Sequence, residues 1–201
     1  MESIEFYFEF ASPYGYLAST QIEALAARHG REVRWHPIML GAAFKHTGAK
    51  PLVHTPLKGE YMMRDLPRFA RLLGVSFQAP PVMPVNSLAA SRAVLWIEEV
   101  EGPEPAKRLA KTLLTAHWGE GRDIGSPEQV AEIAHERAGI DRQALLQAIA
   151  DPAIKQRLKD QTEAAIAWGV FGSPFIFIDG EAFWGADRLP QIAAWLERGG
   201  W

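Results

Sequence analysis

The chain of 201 residues carries 24 acidic and 21 basic side chains, a net charge of −3 with no basic block, which argues against a nucleic-acid partner. Its 48% hydrophobic content, with seven Trp and ten Phe, is enough for a substantial core in one domain with an insertion. No apolar run approaches the roughly 20 residues that span a bilayer, so no membrane partner is expected. There is no cysteine, so the protein itself cannot carry out disulfide exchange, which needs an attacking thiolate.

The first strand is expected over Ile4 to Phe10 and a helix over Tyr14 to His29, closed by Gly30 as its C′ residue. Glu32 to His36 then reads as a second strand, parallel to the first because a helix intervenes. From about Met39 to Trp168 the signal is helical. Met62, Leu66, Phe69 and Leu73 recur at helical steps, as do Ala106, Leu109, Ala110, Leu113 and Leu114. Ser126-Pro-Glu-Gln129 has the form of a capping box, and Asp141 and Asp151-Pro152 open two more helices. Strands return at Phe175 to Ile178 and Ala182 to Trp184 around a tight turn at Asp179-Gly180. Leu189, Ile192, Ala193 and Leu196 line one face of a terminal helix.

Ser12 sits where the first strand runs into a helix, with Pro13 in the first helical position. On this pattern alone Ser12 is an N-cap whose hydroxyl faces whatever binds there. Asp187 reads as a cap of the terminal helix and Asn86 as a cap of the helix containing Trp96. Lys58 reads as a solvated residue near a helix start, and Pro174 as the first residue of an edge strand. The six His residues show no tight metal-ligand spacing, so no metal is expected, and His36, His117 and His135 are expected to be structural.

Phe6-Tyr-Phe-Glu-Phe10 with Ser12-Pro-Tyr-Gly15, and the segments Pro56-Leu-Lys-Gly-Glu-Tyr-Met-Met-Arg-Asp-Leu66, Pro84-Val-Asn-Ser-Leu88, Gly172-Ser-Pro174, Phe183-Trp-Gly-Ala-Asp-Arg-Leu189 and Gly199-Gly-Trp201, follow one another over the whole length. Together they resemble the DsbA-like branch of the thioredoxin superfamily. Within it they resemble the kappa-class glutathione transferases and, in the last two segments, the 2-hydroxychromene-2-carboxylate isomerases. Ser12-Pro-Tyr-Gly15 stands where most of that branch carries Cys-x-x-Cys. The implied fold is α/β: a single thioredoxin-like domain over 1–201, with a sheet portion at about 1–38 and 169–201 and an all-helical insertion at about 39–168 between the second and third strands.

The resemblance implies glutathione as cofactor and places its sulfur at Ser12, the catalytic residue. It implies a cis peptide at Ser173-Pro174 pairing with the cysteinyl part, and a γ-glutamyl end held by Trp184, Gly185, Ala186 and Asp187. It gives Lys58 to the glycyl carboxylate or the substrate. It puts Asn86 beside a small aromatic carboxylate, with Lys50, Lys45 and His46 as the polar wall where Ala49 replaces the Asn of the kappa-class pattern. The activity it implies is glutathione-dependent isomerisation of 2-hydroxychromene-2-carboxylate-type acids in aromatic-hydrocarbon catabolism. Kappa-class conjugation and non-catalytic glutathione or peptide binding are the alternatives. The N-terminal Met1-Glu-Ser-Ile-Glu5 lacks the pattern of a secretory signal, so a cytoplasmic location is expected. A homodimer is implied by the relatives, although no interface is legible in the residues.

Overall fold

The structure, a computed structural model, describes residues 3–201; the first two positions of the expected domain lie outside them. Four strands form one mixed sheet in the order β2-β1-β3-β4: β1 (Ile4–Phe8), β2 (Val33–Pro37), β3 (Phe175–Ile178) and β4 (Glu181–Trp184). β2 runs parallel to β1, with Phe6 opposite Trp35, and β3 runs antiparallel to β1, with Phe6 opposite Ile176. β3 and β4 form a hairpin whose turn residues, Asp179 and Gly180, both have left-handed backbones (φ 52 and 86), the geometry that suits a two-residue turn between twisted strands.

The expected first helix is two helices, α1 (Pro13–Ser19) and α2 (Ile22–Arg28), separated at Thr20-Gln21. Ser19 and Thr20 turn their hydroxyls back onto the carbonyls of Tyr16 and Leu17, three residues behind. That bonding competes with a regular helix and loosens it there. β1 also ends two residues early, because Glu9 leaves the ladder to make contacts of its own.

Between β2 and β3 lie α3 (Leu40–Thr47), α4 (Lys58–Leu73), α5 (Leu88–Glu101), α6 (Pro103–Leu114), α7 (Pro127–Ala138), α8 (Arg142–Ala150) and α9 (Pro152–Ala167), and α10 (Leu189–Arg198) follows β4. The capping box at Ser126 and Gln129 is formed, and Asp141 and Asp151 cap α8 and α9. A π-helical turn over Thr115–Gly119 continues α6 and sets Trp118 so that its Nε1 donates to the Phe10 carbonyl at 2.7 Å.

The sheet has two unlike faces. Ile4, Phe6 and Phe8 from β1, Trp35 from β2 and Ile176 from β3 enter a core continuous with Met62, Leu66, Leu109, Leu113 and Trp118 of the insertion and Ile192 of α10. Tyr7 and Phe175 point the other way and pack with Ile38, Ala165 and Val170 in a smaller cluster. This two-sided burial explains why β1 reads as an almost continuous apolar run instead of an alternating one.

Candidate active site

Ser12 is the N-cap of α1: its Oγ accepts from Gly15 N–H at 3.0 Å and donates to the Ser173 carbonyl at 2.8 Å. It is only 7% exposed. Gly15 is required at this point because a Cβ there would lie 2.8 Å from Ser173 Oγ, which is held in place by the Glu9 N–H at 3.0 Å. The Ser173-Pro174 peptide is cis. The break after Ser19 leaves α1 about two turns long behind Ser12, enough to keep its first-turn amides aligned.

Ser173 and Pro174 border a cleft of about 660 Å³, a size typical of small-ligand sites. One wall continues through Trp184, Gly185, Ala186, Asp187 and Arg188; the other is the face of α4 that carries Tyr61, Asp65, Arg68, Phe69 and Leu72. Trp184 lies against Gly172, where a Cβ would come within 2.2 Å of the indole Nε1. Asp187 lies against Gly185, whose φ of 117 belongs to glycine.

Asp187 does not cap α10. The residue in the N-cap position is Arg188, with no side-chain cap bond, and Asp187 stands exposed in the 3-10 turn Ala186–Arg188. Asn86 likewise precedes the cap of α5, which is Ser87; its Oδ1 accepts from Leu88 N–H at 3.3 Å. Lys50, Lys58 and Asn86 are all exposed and lie outside the residues that line the cleft. Six of the residues singled out from the sequence, Ser173, Pro174, Trp184, Gly185, Ala186 and Asp187, thus line one opening; Ser12 is outside that lining and is tied to it by its bond to the Ser173 carbonyl.

Sequence reasoning missed two groups. The first is Glu9, 5% exposed, whose carboxylate accepts from Ser87 Oγ, from Leu40 N–H at 3.0 Å and from Ala11 N–H at 3.3 Å, while its N–H holds Ser173. Burial pushes this carboxyl up, and those hydrogen bonds offset the rise only in part. The second is the Asp65 cluster: Tyr14 Oη donates to Asp65 Oδ2 at 2.8 Å, and Arg68 Nη2 donates to Asp65 Oδ1 at 2.5 Å. Burial, reinforced by that carboxylate, raises the Tyr14 phenol well above its usual range and keeps it a donor. The helical period that puts Asp65 and Arg68 on one face with Tyr61 was the available signal.

The profile of the DSBA-like thioredoxin domain matches residues 3–197. The chain belongs to that family. Among curated relatives, the 2-hydroxychromene-2-carboxylate isomerase of Pseudomonas putida is 32% identical over 199 residues, covering 97% of this chain and 94% of that one. The Glutathione S-transferase kappa 1 of Homo sapiens is 29% identical over 203 residues, covering 95% and 89%. Among solved structures, a 2-hydroxychromene-2-carboxylate isomerase superposes with a TM-score of 0.87 at 29% identity over 98% of this chain and 95% of that one. The cytosolic disulfide reductase DsbM of Pseudomonas aeruginosa, at 20% identity and a TM-score of 0.68 over 98% of each chain, shares the fold. This member of the DsbA-like family therefore has isomerases and glutathione transferases as relatives over nearly its whole length, with Ser12 at the start of α1.

Proposed function

We propose that this protein is a glutathione-dependent isomerase that converts 2-hydroxychromene-2-carboxylate-type hemiketal acids into trans-o-hydroxybenzylidenepyruvate-type products in aromatic-hydrocarbon catabolism. The observation that carries the reading is the Ser12 hydroxyl, bonded to the Ser173 carbonyl beside a cleft whose opposite wall is largely apolar. Glutathione fits these residues: a hydroxyl donor for sulfur, a cis peptide segment at Ser173-Pro174 lining the cleft, and a carboxylate at Asp187 for an ammonium.

When bound, glutathione would supply a thiolate nucleophile for the conjugated carbon of the ring-opened acid and would be regenerated unchanged. The residues of the chain do the rest. Ser12 has one proton, and it is held by the Ser173 carbonyl. A ligand peptide N–H that takes that carbonyl, as an added strand does, releases the Ser12 proton to face the sulfur. Ser12 then lowers the thiol's pKa from its usual value near 8.5, each unit requiring about 1.4 kcal/mol of preference for the thiolate. Gly185, Ala186 and Asp187 hold the γ-glutamyl end, and Trp184 closes that wall. Lys50 and Lys58, exposed beyond the lining, act at longer range as a positive rim that draws in two anionic ligands. Asn86 serves the start of α5. The same reading places the protein in the cytoplasm, where reduced glutathione is available, and as a homodimer.

The human kappa-class relative supports a second reading, in which the conjugate is released as product. Both share the activation at Ser12 and differ in mass balance. Isomerisation requires glutathione in catalytic amount and leaves it unconsumed; stoichiometric loss of free glutathione indicates transfer. Undiminished turnover in glutathione-free buffer rejects both.

A further inference from the structure

α4 divides its residues between two surroundings. Gly59, Met62, Leu66 and Ala70 are buried, while Tyr61, Asp65, Arg68, Phe69 and Leu72, at steps of four, three, one and three, line the cleft. With Leu52 this wall is apolar and aromatic except for the Asp65–Arg68 pair. Asp65 is fully engaged, with one oxygen taken by Tyr14 and the other by Arg68. Arg68 is not. Its side chain is 57% exposed, and its bonds to Asp65 and to Tyr61 Oη (3.2 Å) both leave from Nη2, so the two N–H donors of Nη1 are not spent on them. The guanidinium also lies 5.8 Å from the centre of the Tyr61 ring, so it is pre-positioned by an aromatic face and a carboxylate together.

We propose that Arg68 is the residue that recognises the carboxylate of an aromatic acid in this cleft, with Tyr61, Phe69 and Leu72 against its ring and Asp65 as the residue that positions the guanidinium. The inference rests on the function proposed above in one respect: glutathione takes the Ser173-to-Asp187 wall, which leaves the α4 wall for the second substrate. The other cation of the cleft, Arg188, lies on the glutathione side and 3.4 Å from Asp187. Arginine suits this task because it stays charged and weakly hydrated beside apolar and aromatic surface.

The test uses trans-cinnamate and its methyl ester as probes in titration calorimetry of the full-length protein, with and without glutathione. The wild type should bind the acid about tenfold or more better than the ester, the range expected for one charge-assisted hydrogen bond. Arg68→Leu should abolish that discrimination by weakening the acid alone, and Arg68→Lys should restore part of it. In turnover, Arg68→Leu should raise the KM of the anionic substrate about 10- to 100-fold while leaving the thiolate titration of bound glutathione unmoved. Absent cinnamate binding, equal affinity of the wild type for acid and ester, or unchanged discrimination in Arg68→Leu overturns the inference. Intact, Arg68-dependent discrimination in a protein without glutathione-dependent turnover would instead reject the proposed function and leave the carboxylate site standing.

Discussion

At Ser12 the hydroxyl accepts from the Gly15 amide and donates its one proton to the Ser173 carbonyl, the proton that the proposed function requires for sulfur. Ser12→Ala removes both the cap and the donor. It should lower the glutathione-dependent rate roughly ten- to a hundredfold, the worth of one charge-assisted bond, and raise the apparent pKa of bound glutathione followed by thiolate absorbance. The fold should survive, since a lost N-cap costs about 0.5–2 kcal/mol. A wild-type rate with an unshifted titration would falsify a role for the hydroxyl. Glu9 behaves oppositely to a paired surface carboxylate. Its folded pKa is raised, so the native state binds the proton more tightly than the unfolded chain does, and stability falls as pH rises from the ordinary carboxylate range through the folded value. Glu9→Gln removes that slope. Denaturant midpoints from about pH 5 to 8 should therefore show the variant gaining on the wild type, and parallel profiles would show that Glu9 does not titrate in this window.

Among the elements, the Gly172–Trp184 contact makes the clearest prediction. Gly172→Ala puts a methyl group where the indole stands, so Trp184 must swing out of the cleft wall. An overpacked contact of this kind typically costs 1–3 kcal/mol, and here it should appear as a shift in tryptophan emission and a roughly tenfold weaker glutathione affinity. Unchanged emission and affinity would mean that the indole does not shape the site. The sheet, the hairpin turn and the caps at Ser126, Asp141 and Asp151 were legible because local chemistry decides them: left-handed turn residues, and side-chain oxygens facing free amides. The caps placed at Asn86 and Asp187 were misread because each helix starts one residue further on: Asn86 Oδ1 turns to the Leu88 N–H just ahead of the Ser87 cap, and Asp187 sits in a 3-10 turn against Gly185 before Arg188. The Ser173-to-Asp187 wall of the cleft was legible through motifs that are contiguous in sequence. The α4 wall was not, because its function depends on which helix face opens onto a loop more than 100 residues away, and periodicity alone marks a polar stripe without saying what it faces.

Across the whole molecule, the sheet portion and the helical insertion are bound into one core. Phe6 and Trp35 share it with Leu66 and Leu109, and hydrogen bonds cross the boundary at Trp118 to Phe10 and Gln161 to Pro37. A boundary so heavily crossed leaves neither part able to keep its buried surface dry alone, so both should unfold in one cooperative step. Trp118→Phe makes this testable, because Trp118 is fully buried in the insertion while its Nε1 holds the end of the segment that leads to Ser12. Losing that donor leaves the buried Phe10 carbonyl without its indole partner and should destabilise the protein by about 1–3 kcal/mol. If the core is one unit, hydrogen exchange of the most protected amides of β1 and of α5 should accelerate by the same factor in the variant. If α5 keeps its wild-type protection while β1 loses its own, the insertion is a separate folding unit and the single-domain reading fails.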